Sequence, residues 1–420
     1  MQTGSLRNIA RSLFETGVRA ADAGAAVTRA LAARPLPDLG PGRHLIIAIG
    51  KAAGAMAEAA LAQHPKGAGV TAIVVTNREN ACDIPGCTVI AAGHPTPDEQ
   101  GLRAGQLVIE TLKKTSASDH VLCLISGGGS ALLPAPIAGV SLQDKARTND
   151  ILLAHGFDIT EINLVRQNLS RLKGGGLAKL AAPAKIRTLV VSDVIGDSPS
   201  TIASGPTATP LGTAIEAAQL LRSRGVWDDL PQSVRKALQN PPASEKTTPE
   251  PADIEVICSN RHSLAAIAQA AQDWSPKILS NQLCGDVADA AHQILAAAKD
   301  CPPGQSQLLI WGGETTVNLT GNGLGGRNQE LTLRVAAGAE NFSAPWVFLS
   351  GGTDGRDGPC DAAGGLVDEG TTARLSKAGR DLSGDLANND SYHALKASGD
   401  LLKTGTTGTN VADIQLFLKA

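Results

Sequence analysis

Aromatic side chains are scarce in this sequence: Phe, Trp and Tyr make up 2% of its 420 residues, so any core must be built from Ala, Val, Leu and Ile. No apolar run reaches the roughly 20 residues that cross a bilayer. The first residues lack the basic start and continuous apolar stretch of a signal peptide. The net charge of −3 offers no electrostatic footprint for nucleic acid or an anionic membrane. We therefore expect a cytoplasmic protein that binds neither.

Metal-binding and nucleotide-binding signatures of the commonest kinds are also missing. The seven cysteines are scattered, with no CxxC pair and no Cys/His spacing typical of a zinc site. We expect reduced thiols and no structural zinc. The Walker A pattern GxxxxGK[ST] does not occur, which excludes a P-loop protein.

Length and composition indicate a folded protein of two domains. The hydrophobic fraction is 42% and the charged fraction 18%, which is typical of globular proteins. A chain of this length exceeds what one compact core usually holds. The proline-rich, polar segment 241–253 is the best linker. It separates a predicted Rossmann-like α/β domain at 1–240 from a second α/β domain at 254–420.

Apolar runs of strand length alternate with helical patterns along the first domain. This alternation is typical of a doubly wound parallel sheet. An amphipathic helix is predicted over 5–33, before the first strand. The predicted strands of the first domain are 44–49, 70–75, 88–92, 121–125 and 188–191. The second domain has predicted strands at 254–258, 308–311, 316–319 and 346–349 and a helix at 328–338.

A glycine-rich loop directly follows the predicted strand at 121–125. Its exposed amides could form an anion nest, and its two serines could bond phosphate or carboxylate oxygens. A tight strand-to-helix turn is the plain alternative, but one glycine would serve for that. We therefore interpret the loop as a substrate- or phosphate-binding segment; its residues are Ser126, Gly127, Gly128, Gly129 and Ser130.

Two basic residues occupy positions that suit an anionic ligand. Lys51 follows the strand at 44–49, where its ammonium could meet a phosphate at the sheet edge; a solvated surface lysine is the alternative. Arg327 stands at the start of a predicted helix, where the helix dipole disfavours a cation. An arginine there favours a bound phosphate or carboxylate.

Several carboxylates also follow strands. Asp354 and Asp357 come after the strand at 346–349, and either could orient a magnesium ion or accept a hydroxyl proton. Asp193 and Glu314 follow other strands. Magnesium usually takes only one or two protein carboxylates. We therefore assign Asp193 and Glu314 to substrate or phosphate binding and Asp357 to the metal, although each alone could be a helix cap or a turn former.

The segment 321–326 formally matches GxGxxG, the fingerprint of a dinucleotide site, and opens a predicted helix. The next strand, however, ends at Ser350, where an acidic residue should meet a ribose hydroxyl. The missing acid disfavours a dinucleotide site.

Long motifs in a fixed order give the chain a family resemblance. They read GKAAGAMA at 50–57, AGHPTPDEQG at 92–101, LISGGGSALL at 124–133, INLVRQNLSRLKGGGLA at 162–178, VVSDVIGDSPSTIASGPT at 190–207, GGETTVNLTGNGLGGRNQEL at 312–331, SGGTDGRDGPCDAAGG at 350–365 and TGTTGTNVADIQL at 404–416. The chain closely resembles the glycerate 2-kinase family, whose C-terminal half is called the MOFRL domain. Cys360 and Thr406 depart from the threonine and proline expected there.

The resemblance implies an activity and an architecture. The activity is transfer of the γ-phosphoryl of ATP to D-glycerate with Mg²⁺, usually at the 2-hydroxyl, giving 2-phosphoglycerate. The architecture is two α/β domains with the active site in the cleft between them, and a homodimer is an expected assembly. Lys51, Arg327 and Asp354 match the catalytic positions. Some members carry the label hydroxypyruvate reductase, so an NAD(P)H-dependent reductase is the alternative.

Overall fold

The computed structural model describes residues 3–65, 69–241, 253–301, 306–340, 342 and 345–420. The chain divides into two units, each with its own sheet. The N unit is Ala23–Ile257, and the C unit joins Met1–Asp22 to Cys258–Ala420. The predicted α/β class with two sheets is confirmed.

The N unit is built on a six-stranded sheet in the order β3-β2-β1-β4-β5-β6. The neighbouring strands from β3 to β5 pair in parallel, which confirms the doubly wound sheet. Ile47, Val75 and Cys123 lie in the core that covers the sheet. The strands are β1 Arg43–Ile49, β2 Gly69–Asn77, β3 Cys87–Ala92, β4 His120–Ile125, β5 Lys185–Val191 and β6 Asp253–Cys258.

Helices of the N unit cover this sheet and form a second small core. Val108 and Leu112 of α4 pack on the sheet residues, and Asp98 caps the helix by accepting a hydrogen bond from the Gly101 amide. Leu152, Val165 and other residues of α6, α7, α9 and α10 form the separate cluster. The helices are α2 Ala23–Ala33, α3 Ala53–Ala62, α4 Glu99–Leu112, α5 Gly129–Leu132, α6 Leu142–Ala154, α7 Ile159–Asn168, α8 Gly176–Ala181, α9 Ala214–Ser223 and α10 Gln232–Gln239.

The C unit has a mixed six-stranded sheet in the order β11-β10-β9-β12-β8-β7. Strand β12 lies between β8 and β9 and is antiparallel to both. Buried Trp346, Phe348 and Phe417 concentrate much of the scarce aromatic content in one core. The strands are β7 Lys277–Asp286, β8 Gln307–Thr316, β9 Trp346–Gly352, β10 Gly364–Asp368, β11 Leu401–Leu402 and β12 Asp413–Lys419.

One helix of the C unit, α13, is buried along most of its length, including Gln329 and Glu330. Its first turn lies beside the loop that follows β9. The helices are α1 Thr3–Ala20, α11 Asn260–Ala270, α12 Val287–Lys299, α13 Arg327–Gly338, α14 Thr371–Lys377, α15 Leu382–Ala387 and α16 Ser391–Ser398.

The N-terminal segment differs from its prediction. The single helix expected over 5–33 is two helices, α1 and α2, separated at Ala21 and Asp22. Leu6, Leu13 and Phe14 are buried in a core of the C unit, so α1 belongs with that unit and not with the predicted 1–240 domain. Most of the predicted linker at 241–253 lies outside the described residues.

A second difference from the prediction concerns a strand that runs through glycines. We expected two strands, 308–311 and 316–319, separated by a glycine turn. Instead β8 continues through Gly312 and Gly313 to Thr316. Gly313 permits this close pairing with β7, because a side chain there would overlap the backbone of Leu283. Strand β7 is not predicted from the sequence, because most of its residues are exposed or half-buried and show no apolar periodicity.

Within the described residues, none of the helices combines the length and apolar character needed to span a membrane. None of the seven cysteines, all of which lie within the described residues, forms a disulfide.

Candidate active site

The strand order of the N unit has a switch point between β1 and β4. From β1 the chain continues outward to β2, whereas β4 has β5 on its other side. Open α/β sheets bind ligands outside the carboxyl ends of the strands at such a point. Gly50 and Lys51 follow β1, and the loop Ser126–Ser130 follows β4. The Lys51 amide donates to the Gly127 carbonyl over 2.9 Å, so two motifs that the sequence offered separately meet there.

Ser126 holds these two loops together. Its amide donates to the Ile49 carbonyl over 2.9 Å, and its hydroxyl accepts from the Ala52 amide over 3.1 Å. Gly50 has a φ of 124°, and a side chain there would overlap Ser126. Ser126 is therefore a buried structural link, and not the free ligand-binding hydroxyl that we expected.

The rest of the loop presents unused donors. Within the described residues, the backbone amides of Gly127, Gly128, Gly129 and Ser130 donate to no acceptor. Gly128 has a left-handed φ of 81° and immediately precedes the short helix α5. Successive unpaired amides in such a turn form a concave anion-binding nest. This geometry supports the phosphate-binding interpretation of the loop.

Lys51 lies against the same nest. Its backbone is fixed, since its carbonyl accepts from the Asn80 amide side chain over 3.0 Å. Its side chain follows the loop, because a Cβ on Gly128 would stand 3.3 Å from Lys51 Cγ. Among the residues that the structure describes, the exposed Lys51 ammonium has no hydrogen bond or ion pair. Its charge contributes, after burial, to the lowered pKa of nearby His94.

Asp193 follows β5 and faces the nest from the other side. A side chain on Gly127 would overlap its carboxylate, so the two groups are in direct contact. Burial raises the pKa of Asp193, while the Lys51 charge opposes that rise. The N unit therefore brings together Lys51, the nest and Asp193.

In the C unit, Arg327 already has anionic partners. The antiparallel β12 brings Asp413 opposite Gly313 and Gly352, at the edge where β8 and β9 end. Asp413 is fully buried and accepts from Arg327 Nε over 2.6 Å and from Nη2 over 2.9 Å. Arg327 Nη1 lies 3.0 Å from Glu314 Oε1.

These contacts change the interpretation of Arg327. Burial lowers the pKa of its guanidinium, but the hydrogen bond and charge of Asp413 and the charge of Glu314 outweigh burial and raise it. We expected a bound anion beside Arg327, and the structure places two protein carboxylates there. Asp413 was not predicted as a site residue. We considered acids that follow strands and not an acid that begins an antiparallel strand.

Asp357 is a helix cap and not a free metal ligand. Its Oδ1 accepts from the Asn328 amide over 3.1 Å, and its Oδ2 accepts from the Gln329 amide over 2.8 Å. The side chains of Asn328 and Gln329 donate to the same two oxygens. Burial raises its pKa to about 6 against the lowering effect of these hydrogen bonds. With both oxygens engaged at the start of α13, the assignment of Asp357 to the metal is replaced by this structural role.

Asp354 keeps an available oxygen. Its Oδ1 accepts from the Arg356 amide over 2.9 Å, and its Oδ2 has no partner among the described residues. A Cβ on Gly352 would stand 2.7 Å from the Arg356 carbonyl oxygen, 3.1 Å from Asp354 Oδ1 and 3.5 Å from Asp413 Oδ1. A side chain at Gly352 would therefore collide with the Arg356 carbonyl, so the glycine lets the loop close tightly beside Asp354.

Most backbone amides of the GxGxxG segment in the C unit are engaged by the protein itself. The five successive amides of residues 320–324 all donate to Asn388, Asn389 or Asp390, over 2.8 to 3.1 Å. A Cβ on Gly323 would stand 2.6 Å from Asp390 Cα. Its glycines therefore permit close packing on the protein's own chain.

The Rossmann strand order and the unclaimed nest beside Lys51 define an α/β protein suited to holding a phosphate or carboxylate. Residues 9–239 match the family model described as a domain of unknown function, DUF4147, and residues 307–413 match the MOFRL family. The D-glycerate 2-kinase of Thermotoga maritima is 38% identical over 91% of this chain and 92% of that protein. An Agrobacterium vitis protein provisionally named hydroxypyruvate reductase is 39% identical over 99% of this chain and 94% of its own.

A solved structure agrees with the sequence relatives. The crystal structure of glycerate kinase from Thermotoga maritima superposes with a TM-score of 0.91 and 36% identity, covering 99% of this chain and 100% of that one. This chain belongs to the glycerate 2-kinase family, with its DUF4147 and MOFRL domains, as the resemblance predicted.

Proposed function

We propose that this chain transfers the γ-phosphoryl group of ATP to D-glycerate, at the 2-hydroxyl, to give 2-phosphoglycerate. One observation carries the proposal: within the described residues, four successive backbone amides at the switch point of the N unit have no acceptor, and Lys51 beside them makes no ion pair. Phosphoryl transfer requires positioning and charge neutralisation more than covalent catalysis. The names of the Thermotoga maritima relatives support the same reaction and substrate.

In the N unit, Lys51 and the nest would stabilise the oxygens that carry negative charge during transfer. Donors aimed in advance at developing charge are the strongest single contribution to many enzymatic rates. Ser126 fixes the positions of these donors, because its hydrogen bonds hold Lys51 against the nest. Asp193, in contact with Gly127, would orient the substrate hydroxyl.

In the C unit, Asp354 would accept the hydroxyl proton through its oxygen without a partner. Arg327 would keep Glu314 and Asp413 in place. Three of its five N–H groups make the contacts with these two residues described above, and a substrate oxygen could bind at the same guanidinium.

Mg²⁺ takes oxygen ligands and usually only one or two protein carboxylates, and the Asp354 Oδ2, which has no partner among the described residues, suits such an ion. Within the described residues, no group of three or more His, Cys, Asp or Glu is placed to hold a metal ion. Asp354 would contribute the protein ligand through its Oδ2. When bound, the ion would neutralise phosphate charge.

The direct test is incubation of the purified protein with ATP, Mg²⁺ and D-glycerate. We expect glycerate-dependent formation of ADP and, by NMR, 2-phosphoglycerate as the product. ADP at the level of the glycerate-free control would contradict the kinase proposal, and 3-phosphoglycerate would contradict the 2-hydroxyl assignment.

The name of the Agrobacterium vitis relative keeps a reductase as the competing candidate. It predicts loss of NADH or NADPH absorbance on addition of hydroxypyruvate. Because the amides of 320–324 are claimed by the protein, we expect no such loss.

A cytoplasmic location and a homodimer belong to the same proposal. Cell fractionation tests the first, and size-exclusion chromatography with light scattering tests the second.

A further inference from the structure

Three cations of the N unit lie together behind the nest. They are Lys145 on α6, Arg166 on α7 and Lys173 in the loop before α8. Lys173 is 5% exposed, and its ammonium donates to the carbonyl of Ser130 over 2.6 Å and to the Ser130 hydroxyl over 2.7 Å. The cluster is therefore joined directly to the last residue of the nest.

The partners of this cluster are neutral. Lys145 donates to the Leu169 carbonyl over 3.3 Å, and Arg166 Nε donates to the Asn149 side-chain oxygen over 3.0 Å. No carboxylate forms an ion pair with any of the three cations in the described part of the chain. Burial first, and then the charges of Lys145 and Arg166, lower the pKa of Lys173 well below its usual range.

Another buried cation of the same unit shows the usual arrangement. Arg187 is 4% exposed and lies 3.2 Å from Glu255, with further hydrogen bonds to the carbonyls of Ala30 and Arg34. Buried cations are normally paired in this way, because an unpaired buried charge costs several kcal/mol. Among the described residues no carboxylate pairs with Lys173, and at least one of its three N–H donors has no partner there.

We propose that Lys145, Arg166 and Lys173 form a second anion position, joined through Ser130 to the nest, that takes a carboxylate or phosphate group. The two sources of such a group are the glycerate carboxylate and a phosphate of the nucleotide. This inference rests on the proposed function for the identity of these ligands. It assigns to the site three residues that lie away from every strand end.

The test is isothermal titration calorimetry of the full chain with D-glycerate, ADP and inorganic phosphate as separate probes. The variants are Lys173→Met and Lys145→Met, with Lys179→Met as a control that removes an exposed lysine from α8. Binding is measured without turnover, so kinase activity can fail while this site stands, or the reverse. Lys145 is half-buried, so its variant keeps the test valid if Lys173→Met does not fold.

We expect each cluster variant to bind one class of probe at least about tenfold more weakly, as charge-assisted hydrogen bonds are lost, and the control to match the wild type. A selective loss for D-glycerate assigns the carboxylate; a loss for ADP and phosphate assigns the nucleotide. Titrations in two buffers at pH 8 should show proton uptake in the wild type, since the anion would raise the Lys145 pKa from about 7. Unchanged affinity for all three probes in both variants, or no binding by the wild type, would overturn the proposal.

Discussion

Two glycine-rich loops in this molecule differ in how their backbone amides are hydrogen-bonded. The loop Ser126–Ser130 in the N unit has four successive amides with no acceptor among the described residues. Residues 320–324 in the C unit donate all five of their amides to Asn388, Asn389 and Asp390. The same contrast holds for the cations beside them. Within the described residues Lys51 makes no ion pair, whereas Arg327 makes ion pairs with Asp413 and Glu314. A binding site is marked by donors and charges that the protein leaves unsatisfied.

Removal of the unpaired cation should have the largest effect. Lys51→Ala is expected to lower kcat/KM about 1,000-fold, or about 4 kcal/mol, because an ammonium aimed at developing phosphate charge is lost. The melting temperature should stay that of the wild type, since the ammonium has no protein partner. Steady-state kinetics and thermal unfolding measure the two quantities, with Lys179→Ala as the matched control. A near-normal rate would remove the functional distinction between the two loops.

The paired cation should behave differently. Arg327→Ala leaves the fully buried Asp413 without its partner, so we expect the free energy of unfolding to fall by about 3 kcal/mol. Adding Asp413→Asn should recover much of that loss, which denaturant unfolding of the single and double variants would show. If Arg327→Ala kept full stability and lost only activity, Arg327 would belong with Lys51 as a ligand-binding cation.

A matched pair of glycine substitutions sharpens the comparison of the loops. Gly128→Ala forces a side chain onto a left-handed φ and to 3.1 Å from the His94 ring, so the nest should distort and ADP affinity should fall about 30-fold. Gly323→Ala should lower stability and leave the ADP affinity of the folded protein unchanged. Calorimetric titration with ADP distinguishes the two, and the opposite pattern would assign the phosphate site to the C unit.

The smallest effect is expected at the opposite ends of the N unit strands, away from the candidate site. His44 and His120 begin the strands whose far ends hold the site, and burial, with the charge of His44, lowers the pKa of His120 from 6.5 to about 4. In the unfolded chain His120 is therefore protonated below pH 6.5, whereas in the folded chain it is protonated only below about pH 4. The contribution of His120 to the free energy of unfolding is therefore fully present above pH 6.5. It decreases as the pH falls through this window, by about 1–2 kcal/mol at pH 5.

Chemical denaturation at pH 7 and pH 5 checks this prediction. His120→Gln should flatten the dependence, because glutamine does not titrate in this range. A variant with the pH dependence of the wild type would place the acid-sensitive group elsewhere.

The sequence predicted the part of the candidate site that lies at the carboxyl ends of parallel strands. Lys51 and the loop Ser126–Ser130 follow adjacent parallel strands, so alternating sequence patterns were enough to bring them to one edge. Asp413 lies at the start of an antiparallel strand, and that direction depends on pairing between distant segments. Lys145, Arg166 and Lys173 lie on helices or in a loop between helices, where no strand end signals them.

Other features depended on contacts that a sequence pattern does not contain. Asp357 has the spacing of a metal ligand, but the two amides that begin α13 claim its oxygens. The glycines at 321–326 satisfy a dinucleotide fingerprint, yet they pack on residues more than 60 positions later in the chain. The predicted position of the active site between the two units stays a prediction.

The most direct test of the central claim is NMR of the full chain labelled with ¹⁵N-glycine, titrated with ADP. The account predicts that the amide signals of Gly127, Gly128 and Gly129 shift as the nest takes up phosphate, while those of Gly321 and Gly323 stay in place. Shifts at Gly321 and Gly323 without any at Gly127–Gly129 would contradict it.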